Sequence, residues 1–267
     1  GEDRRVVAET LYDLYAADYP SDLLYVYLIH EPDDAALAAY VDEFVAAQRE
    51  AGRDVTAVPV NRRVLAAHLS SGTALLPPER TPETKASALV YAFLTLAFAP
   101  DDVVTVFDAD TTAPPDLIPR AVAGLEEYDL VQAKQTVRNV GDGWLPLLEA
   151  MGIAAWCDVV FERSSRGPYQ LLGKAYFTSA RTLHDLGGWQ AETVTEDMTL
   201  GLAASARGYS LGIVDRYVYD LCPADLGAWF RQKRRWARGP YGHLFDGAFD
   251  RRGTLRLWTY TVANQVV

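Results

Sequence analysis

Cysteine, lysine and long apolar runs are all scarce in this 267-residue chain, and each scarcity excludes something. Cys157 and Cys222 lie far apart without metal-ligand spacing, which excludes a disulfide scaffold and a zinc cluster and leaves two reduced, buried thiols in a reducing compartment. No uninterrupted run of 18 apolar residues occurs, so no complete transmembrane helix is expected. The opening Gly1-Glu2-Asp3-Arg4-Arg5 is not a signal peptide. Low-complexity tracts and internal repeats are absent. Four lysines stand among 25 basic residues, against 36 acidic ones, for a formal charge of -11. Such a surface does not attract nucleic acid or anionic lipid globally, so an anionic ligand must be held by a local basic cluster. The same bias is compatible with a salt-adapted surface or with an ordinary acidic protein.

What is present is a core. Hydrophobic residues make up 49% of the chain, enough for one α/β domain of upper ordinary size or one domain with an appendage. Helical spacing runs over 4–17, with Val7, Leu11, Leu14 and Tyr15 on one face. Short apolar runs at 23–29, 55–60, 103–107 and 129–137 read as strands, and 33–51, 82–98 and 115–127 as helices. Residues 69–81, with Gly72 and Pro77-Pro78, read as a loop. This alternation argues for a mostly parallel central sheet with helices on both faces, whose ligands sit at the carboxyl ends of strands. The second half is less regular. Helices are expected over 145–161, 197–206 and 224–238, a turn-rich loop over 164–168, an extended segment over 171–178, a break at Gly187-Gly188-Trp189, and a strand over 209–214. Residues 255–267, with Trp258, Tyr260 and Val262, read as the beginning of a membrane span in preference to a last core helix.

Three motifs carry chemistry. Asp108-Ala109-Asp110 leaves an apolar strand, and two hard carboxylates at that spacing suit Mg²⁺ or Mn²⁺ bound together with substrate phosphates; a plain surface turn is the simpler alternative. Thr195-Glu196-Asp197 opens a helix. Ordinary helix initiation explains it, but a carboxylate there would also be kept ionised and ready to act as a general base. In 224–238, Gln232, Arg235 and Trp236 fall at i, i+3 and i+4, with Trp229 one turn earlier on the same side. An amide, a guanidinium and an indole on one stripe suit a diphosphate next to a sugar ring. With Arg231, Lys233, Arg234 and Arg238 the segment is also readable as an interfacial membrane helix or a solvated basic face.

In order and spacing, Asp108-Ala109-Asp110, Thr195-Glu196-Asp197 and Gln232-Lys233-Arg234-Arg235-Trp236 resemble the signature of family-2 glycosyltransferases of the cellulose-synthase-like subgroup. Leu186-Gly187-Gly188-Trp189, Cys222-Pro223-Ala224-Asp225-Leu226, Gly173 to Thr178 and Thr84-Lys85-Ala86-Ser87-Ala88-Leu89 resemble its accompanying segments. The resemblance implies a GT-A-like α/β fold over residues 1–239, followed by a membrane-proximal segment over 240–267. It implies a nucleotide-diphosphate sugar donor, most often a uridine one, and an inverting in-line displacement. Asp110 and Asp108 would hold Mg²⁺ or Mn²⁺, and Asp108 would also contact donor. Asp197, beside Glu196, would supply the catalytic carboxylate. Lys85, Gln232 and Arg235 would bind donor, and Trp236 would stack on the acceptor. Glu31, with His30, would stand in the place of the family's uridine-binding aspartates.

Four departures from the pattern accompany it. The family's opening strand is missing before Gly1-Glu2, His30-Glu31 replaces an Asp pair, Val90 stands where Asn is usual, and Lys174 follows Gly173 where a small residue is usual. The expected protein is a transferase on the cytosolic face of the cell membrane, building a polysaccharide (as in cell-wall synthesis), a glycolipid or a protein-linked glycan, with no nucleic-acid partner. The alternatives are a sugar nucleotidyltransferase, which would release pyrophosphate, and a non-catalytic sugar-nucleotide sensor or scaffold.

Overall fold

Residues 4–31, 35–70, 81–191, 193, 195–243 and 253–259 are described by a computed structural model. In chain order the elements are α1 (Arg4–Tyr15), β1 (Val26–His30), α2 (Ala35–Glu50), β2 (Val55–Pro59), α3 (Arg62–Leu69), α4 (Lys85–Thr95), β3 (Val103–Thr105), α5 (Leu117–Gly124), β4 (Leu130–Val137), α6 (Trp144–Trp156), α7 (Glu162–Ser164), β5 (Tyr176–Ser179), α8 (Ala180–Leu186), α9 (Glu196–Ala206), β6 (Leu211–Asp220) and α10 (Leu226–His243). The expected loop over 69–81 lies almost wholly outside the described residues, as do Tyr260 and Val262. The chain divides into two units: Tyr19–Phe98 with Gly188–Glu196, and Glu2–Asp18 with Ala99–Gly187 and Asp197–Val267.

In the first unit, β1 and β2 pair in parallel from Val26↔Val55 to His30↔Pro59, with α2 as the crossover. Val41 and Val45 of α2 are buried, as are Val55 and Val58 of β2. The amphipathic spacing of the helix thus covers the sheet it connects. α3 was not among the expected elements. Its signal is the cap: the Asn61 side chain accepts from the N–H groups of Arg63 and Val64 at 3.0 and 3.3 Å. Thr84 caps α4 in the same way, accepting from Ser87 N at 3.1 Å, which makes Lys85 the first helical residue.

The second unit holds a four-stranded sheet in the order β3-β5-β4-β6. β5 runs antiparallel to both β3 and β4, and only the β4–β6 pair is parallel, so the sheet is mixed where a mostly parallel one was expected. The reason is physical. A short, fully buried strand such as Tyr176-Phe177-Thr178 shows the same apolar run whichever way it points, so direction is not written in its pattern. β6 extends to Asp220, well past the expected end at Val214, because a bulge opposite Ala133/Lys134 lets the ladder continue through the polar Asp215-Arg216.

α6 does not stop at Trp156. It continues through a π turn, Cys157–Phe161, into α7, forming one helix from Trp144 to Ser164. That helix is 21 residues long, and its most apolar 18-residue stretch has a mean hydropathy of 1.4 and is 28% buried. Glu149 and Asp158 interrupt its apolar run, in keeping with the absence of an uninterrupted 18-residue one, yet by length and composition the helix is long and apolar enough to cross a bilayer. Trp144, Leu147, Leu148, Met151 and Val159 lie exposed along it. Cys157 and Cys222 are free and buried, as expected, and burial pushes the Cys157 thiol up to about 11.

α9 packs unusually close to the segment before β5. A Cβ on Gly201 would lie 2.6 Å from the backbone N of Leu171 and 3.0 Å from the carbonyl carbon of Gln170. Backbone cannot yield as a side chain can, so Gly201→Ala is expected to cost about 1–3 kcal/mol by overpacking. A lowered denaturant midpoint at unchanged m value would show it, and an unchanged midpoint would contradict the close approach.

Candidate active site

The second unit builds its site from three chain segments. β3 delivers the first, Asp108-Ala109-Asp110, whose turn is closed by Thr111 N donating to Asp108 O at 3.0 Å. α1 holds the turn from one side, since the Thr10 hydroxyl donates to Ala109 O at 2.9 Å. The end of β6 holds it from the other, with Thr112 and Tyr219 exchanging both backbone hydrogen bonds at 2.9 Å. The Thr111 hydroxyl also donates to Asp220 Oδ1 at 2.7 Å.

The second segment is Leu172–Ala175. The buried Gln132 amide clamps it: Nε2 donates to Lys174 O at 2.8 Å, and Oε1 accepts from Leu172 N at 3.0 Å. Gly173 and Ala175 have φ of 58° and 49°. Positive φ is unremarkable for Gly173 but costs Ala175 energy, and such strain persists only where the surroundings over-determine the backbone. The result is a fixed presentation of Lys174. Its Nζ lies 2.5 Å from Asp220 Oδ2 and 3.4 Å from Asp108 Oδ2, with the side chain 12% exposed. Burial opposes this charge, but Asp220, Asp108 and Asp110 outweigh it and hold the ammonium above its ordinary value. Burial pushes the Asp220 carboxyl up, while Lys174 and Thr111 pull it down.

The third segment is the start of α9. A Cβ built on Gly173 would meet Asp197 Oδ2 at 3.3 Å, so the Asp197 carboxylate lies against the Gly173 backbone. Asp108, Asp110, Asp220 and Asp197 thus gather round Gly173-Lys174. Asp220 was not foreseen. Its only signal in sequence was its place at a strand end, and the expected strand stopped short of it.

α10 is held on α6. Trp229 Nε1 donates to Glu149 Oε2 at 2.8 Å, and Lys233 pairs with Glu149 Oε1. The Lys233 ammonium sits 4.2 Å over the Trp236 ring, a cation–π contact. Gln232 is half-buried, while Arg235 and Trp236 are exposed. Among the described residues, no hydrogen bond or ion pair joins Gln232 or Arg235 to the aspartates. The sequence placed Trp229 on the same side as these three, and its indole N–H is taken by α6.

Within the first unit, Lys85 Nζ lies 3.8 Å from Glu196 Oε1, and Glu196 is 8% exposed. The unit boundary falls between Glu196 and Asp197. Glu31 is ion-paired with Arg62 at 2.8 Å, and Arg62 also donates to Thr81 Oγ1 at 3.2 Å. His30 Nδ1 lies 3.2 Å from Glu31 O. Arg62 was missed because α3 was missed.

Among the described residues no group of three or more His, Cys, Asp or Glu side chains gathers as a metal cage. The donor set still fits Mg²⁺ or Mn²⁺. Asp108 and Asp110 present partly exposed carboxylates, and such ions take one or two carboxylates and complete their sphere with substrate phosphates.

A mannosyltransferase from Pyrobaculum calidifontis, solved with GDP-Man and Mn²⁺, superposes with a TM-score of 0.66 at 17% identity, covering 98% of this chain and 66% of that one. S. aureus TarS 1–349 with UDP gives 0.54 at 12% identity, covering 96% and 66%. These likenesses show the GT-A-type fold. In sequence, the chain is 27% identical over 157 residues to beta-monoglucosyldiacylglycerol synthase of Synechocystis sp., covering 57% of this chain and 32% of that protein. It is 30% identical over 165 residues to glucomannan 4-beta-mannosyltransferase 7 of Arabidopsis thaliana, covering 59% and 30%. The chain thus spans about a third of the length of these relatives. The family profile described as glycosyl transferase family group 2 matches residues 103–265, which include the Asp-x-Asp turn, Gly173-Lys174, Asp197 and α10, and the chain belongs to that family.

Proposed function

We propose that this chain is the catalytic part of an inverting, metal-dependent hexosyltransferase that moves a sugar from a nucleoside-diphosphate donor to a hydroxyl of a glycan or lipid-linked acceptor. The observation that carries this reading is the gathering of the Asp108/Asp110 pair and the Asp197 carboxylate around the clamped Gly173-Lys174 segment. Asp197 is the group that accepts the acceptor hydroxyl's proton as the oxygen attacks the anomeric carbon. A single displacement by that oxygen inverts the carbon and expels the nucleoside diphosphate. Asp108 and Asp110 would hold the divalent ion, which when bound neutralises charge on the leaving diphosphate. Gln232 and Arg235 are assigned to the diphosphate, Trp236 to the acceptor sugar, and Lys85 and Glu31 to donor binding, on the strength of their motif positions. Glu196 orients Lys85 and leaves the base role to its neighbour. Such a site works by positioning and preorganised charge, without a covalent intermediate.

A cytosolic membrane face is the proposed location. The outward apolar row on α6 and the cationic α10 beside it suit the boundary of an anionic bilayer. Uridine is the first donor to test and guanosine the second, since solved neighbours hold UDP and GDP-Man.

A screen of UDP- and GDP-hexoses with Mg²⁺ or Mn²⁺ tests the reading directly. Release of nucleoside diphosphate that requires the metal is the expected result. Pyrophosphate release would assign a nucleotidyltransferase instead. Binding of sugar nucleotides with no turnover of any would favour the sensor.

A further inference from the structure

Four lysines serve the whole chain, and each is ion-paired: Lys85 with Glu196, Lys134 with Asp158 and Asp215, Lys174 with Asp220 and Asp108, Lys233 with Glu149. Arginine fills the other basic positions. Each lysine thus places a compact positive charge beside at least one carboxylate. Lys174 is the one that stands in the aspartate cluster.

We infer that Lys174 is a resident cation of the Asp108/Asp110 cluster and makes divalent-metal binding there conditional on the donor diphosphate. The inference rests on the metal-dependent reading above. Three features of the structure support it. The ammonium reaches Asp108, one of the two proposed metal ligands, as well as Asp220. The segment bearing it is clamped by Gln132 and fixed by two positive-φ residues, so the charge cannot easily swing away. The side chain is 12% exposed, so water screens it weakly. Asp108, Asp110 and Asp220 carry three negative charges and Lys174 returns one. A divalent ion approaching the protein alone meets a ligand already engaged and a like charge close by. The diphosphate adds its own negative oxygens, which offset that repulsion and fill the ion's remaining coordination positions. Metal and nucleotide should therefore bind together far better than metal alone.

The test is Mn²⁺ binding followed by the electron paramagnetic resonance signal of the free ion, with the protein alone and with UDP or GDP. Wild type, Lys174→Met, Lys174→Arg and the double variant Lys174→Met/Asp220→Asn are compared. Wild type is expected to bind Mn²⁺ at least 10-fold more tightly with nucleoside diphosphate than without. The double variant is expected to bind Mn²⁺ alone at least 10-fold more tightly than wild type, and Lys174→Arg to stay near wild type. Lys174→Met leaves Asp220 buried without its partner, so if it fails to fold, the double variant, which removes that charge as well, carries the comparison. Equal affinity for Mn²⁺ alone in wild type and double variant, with nucleotide-assisted binding intact in both, overturns this inference and leaves the metal-dependent function standing. No Mn²⁺ binding by any protein, with or without nucleotide, overturns both.

Discussion

Asp197→Asn is expected to lower sugar transfer by about 10²–10⁴-fold, the range a positioned general base contributes, while nucleoside-diphosphate binding in the presence of Mn²⁺ stays within about twofold of wild type. The substitution is nearly isosteric. Gly173, which has no Cβ to clash with the carboxylate, will accommodate the amide equally well, so the cluster's packing should survive. What changes is the ability to take a proton from the acceptor hydroxyl. Pre-steady-state rates with saturating donor and acceptor separate that loss from any change in binding. Turnover at the wild-type rate would remove Asp197 from the chemistry and leave the role to another group around Gly173-Lys174.

Asp110→Ala is the second large effect. The carboxylate is partly exposed at the tip of a turn whose backbone is fixed by Thr10, Thr112 and Tyr219, so its removal should cost little stability. It should instead lower metal-dependent affinity for nucleoside diphosphate by on the order of 100-fold, since an ion with few protein ligands loses much of its hold with each one. Calorimetric titration of UDP and GDP with Mn²⁺ and with a chelator measures this. Identical isotherms for wild type and variant under both conditions would show that Asp110 holds no ion.

Much of this site was visible in the chain before any coordinates. An apolar strand running into Asp108, an acidic pair opening a helix at 196–197 and a basic helix ending in Arg235-Trp236 are local patterns, and local patterns survive folding. The α/β class was legible from alternating strands and helices, and the GT-A type followed from the resemblance that the three motifs carry. What was hidden depends on contacts distant in sequence. The Lys174–Asp220 pair joins a loop to a strand end that the pattern truncated, since Asp215-Arg216 looks like the end of a strand when the bulge that carries it onward cannot be seen. The Glu31–Arg62 pair needed α3, whose short span is announced only by the Asn61 cap. The direction of β5 was unreadable for the reason given above. On α10, helical spacing placed Trp229 with Gln232, Arg235 and Trp236, but not the fact that Glu149 of α6 would claim both the Trp229 indole and Lys233. Spacing says which residues share a side of a helix; only the neighbour says what that side faces.

The pairing of every lysine has a consequence for covalent chemistry. An acetyl group, a crosslinker or any tag directed at ε-amines would find no lysine without a carboxylate against it, and at Lys134 and Lys174 hardly any access as well. Each such attachment would also break a tie between two parts of the chain: α4 to the start of α9, β4 to β6, the Gly173 loop to the end of β6, or α10 to α6. Acylation would therefore act on this protein less as a surface label than as the removal of an internal fastener.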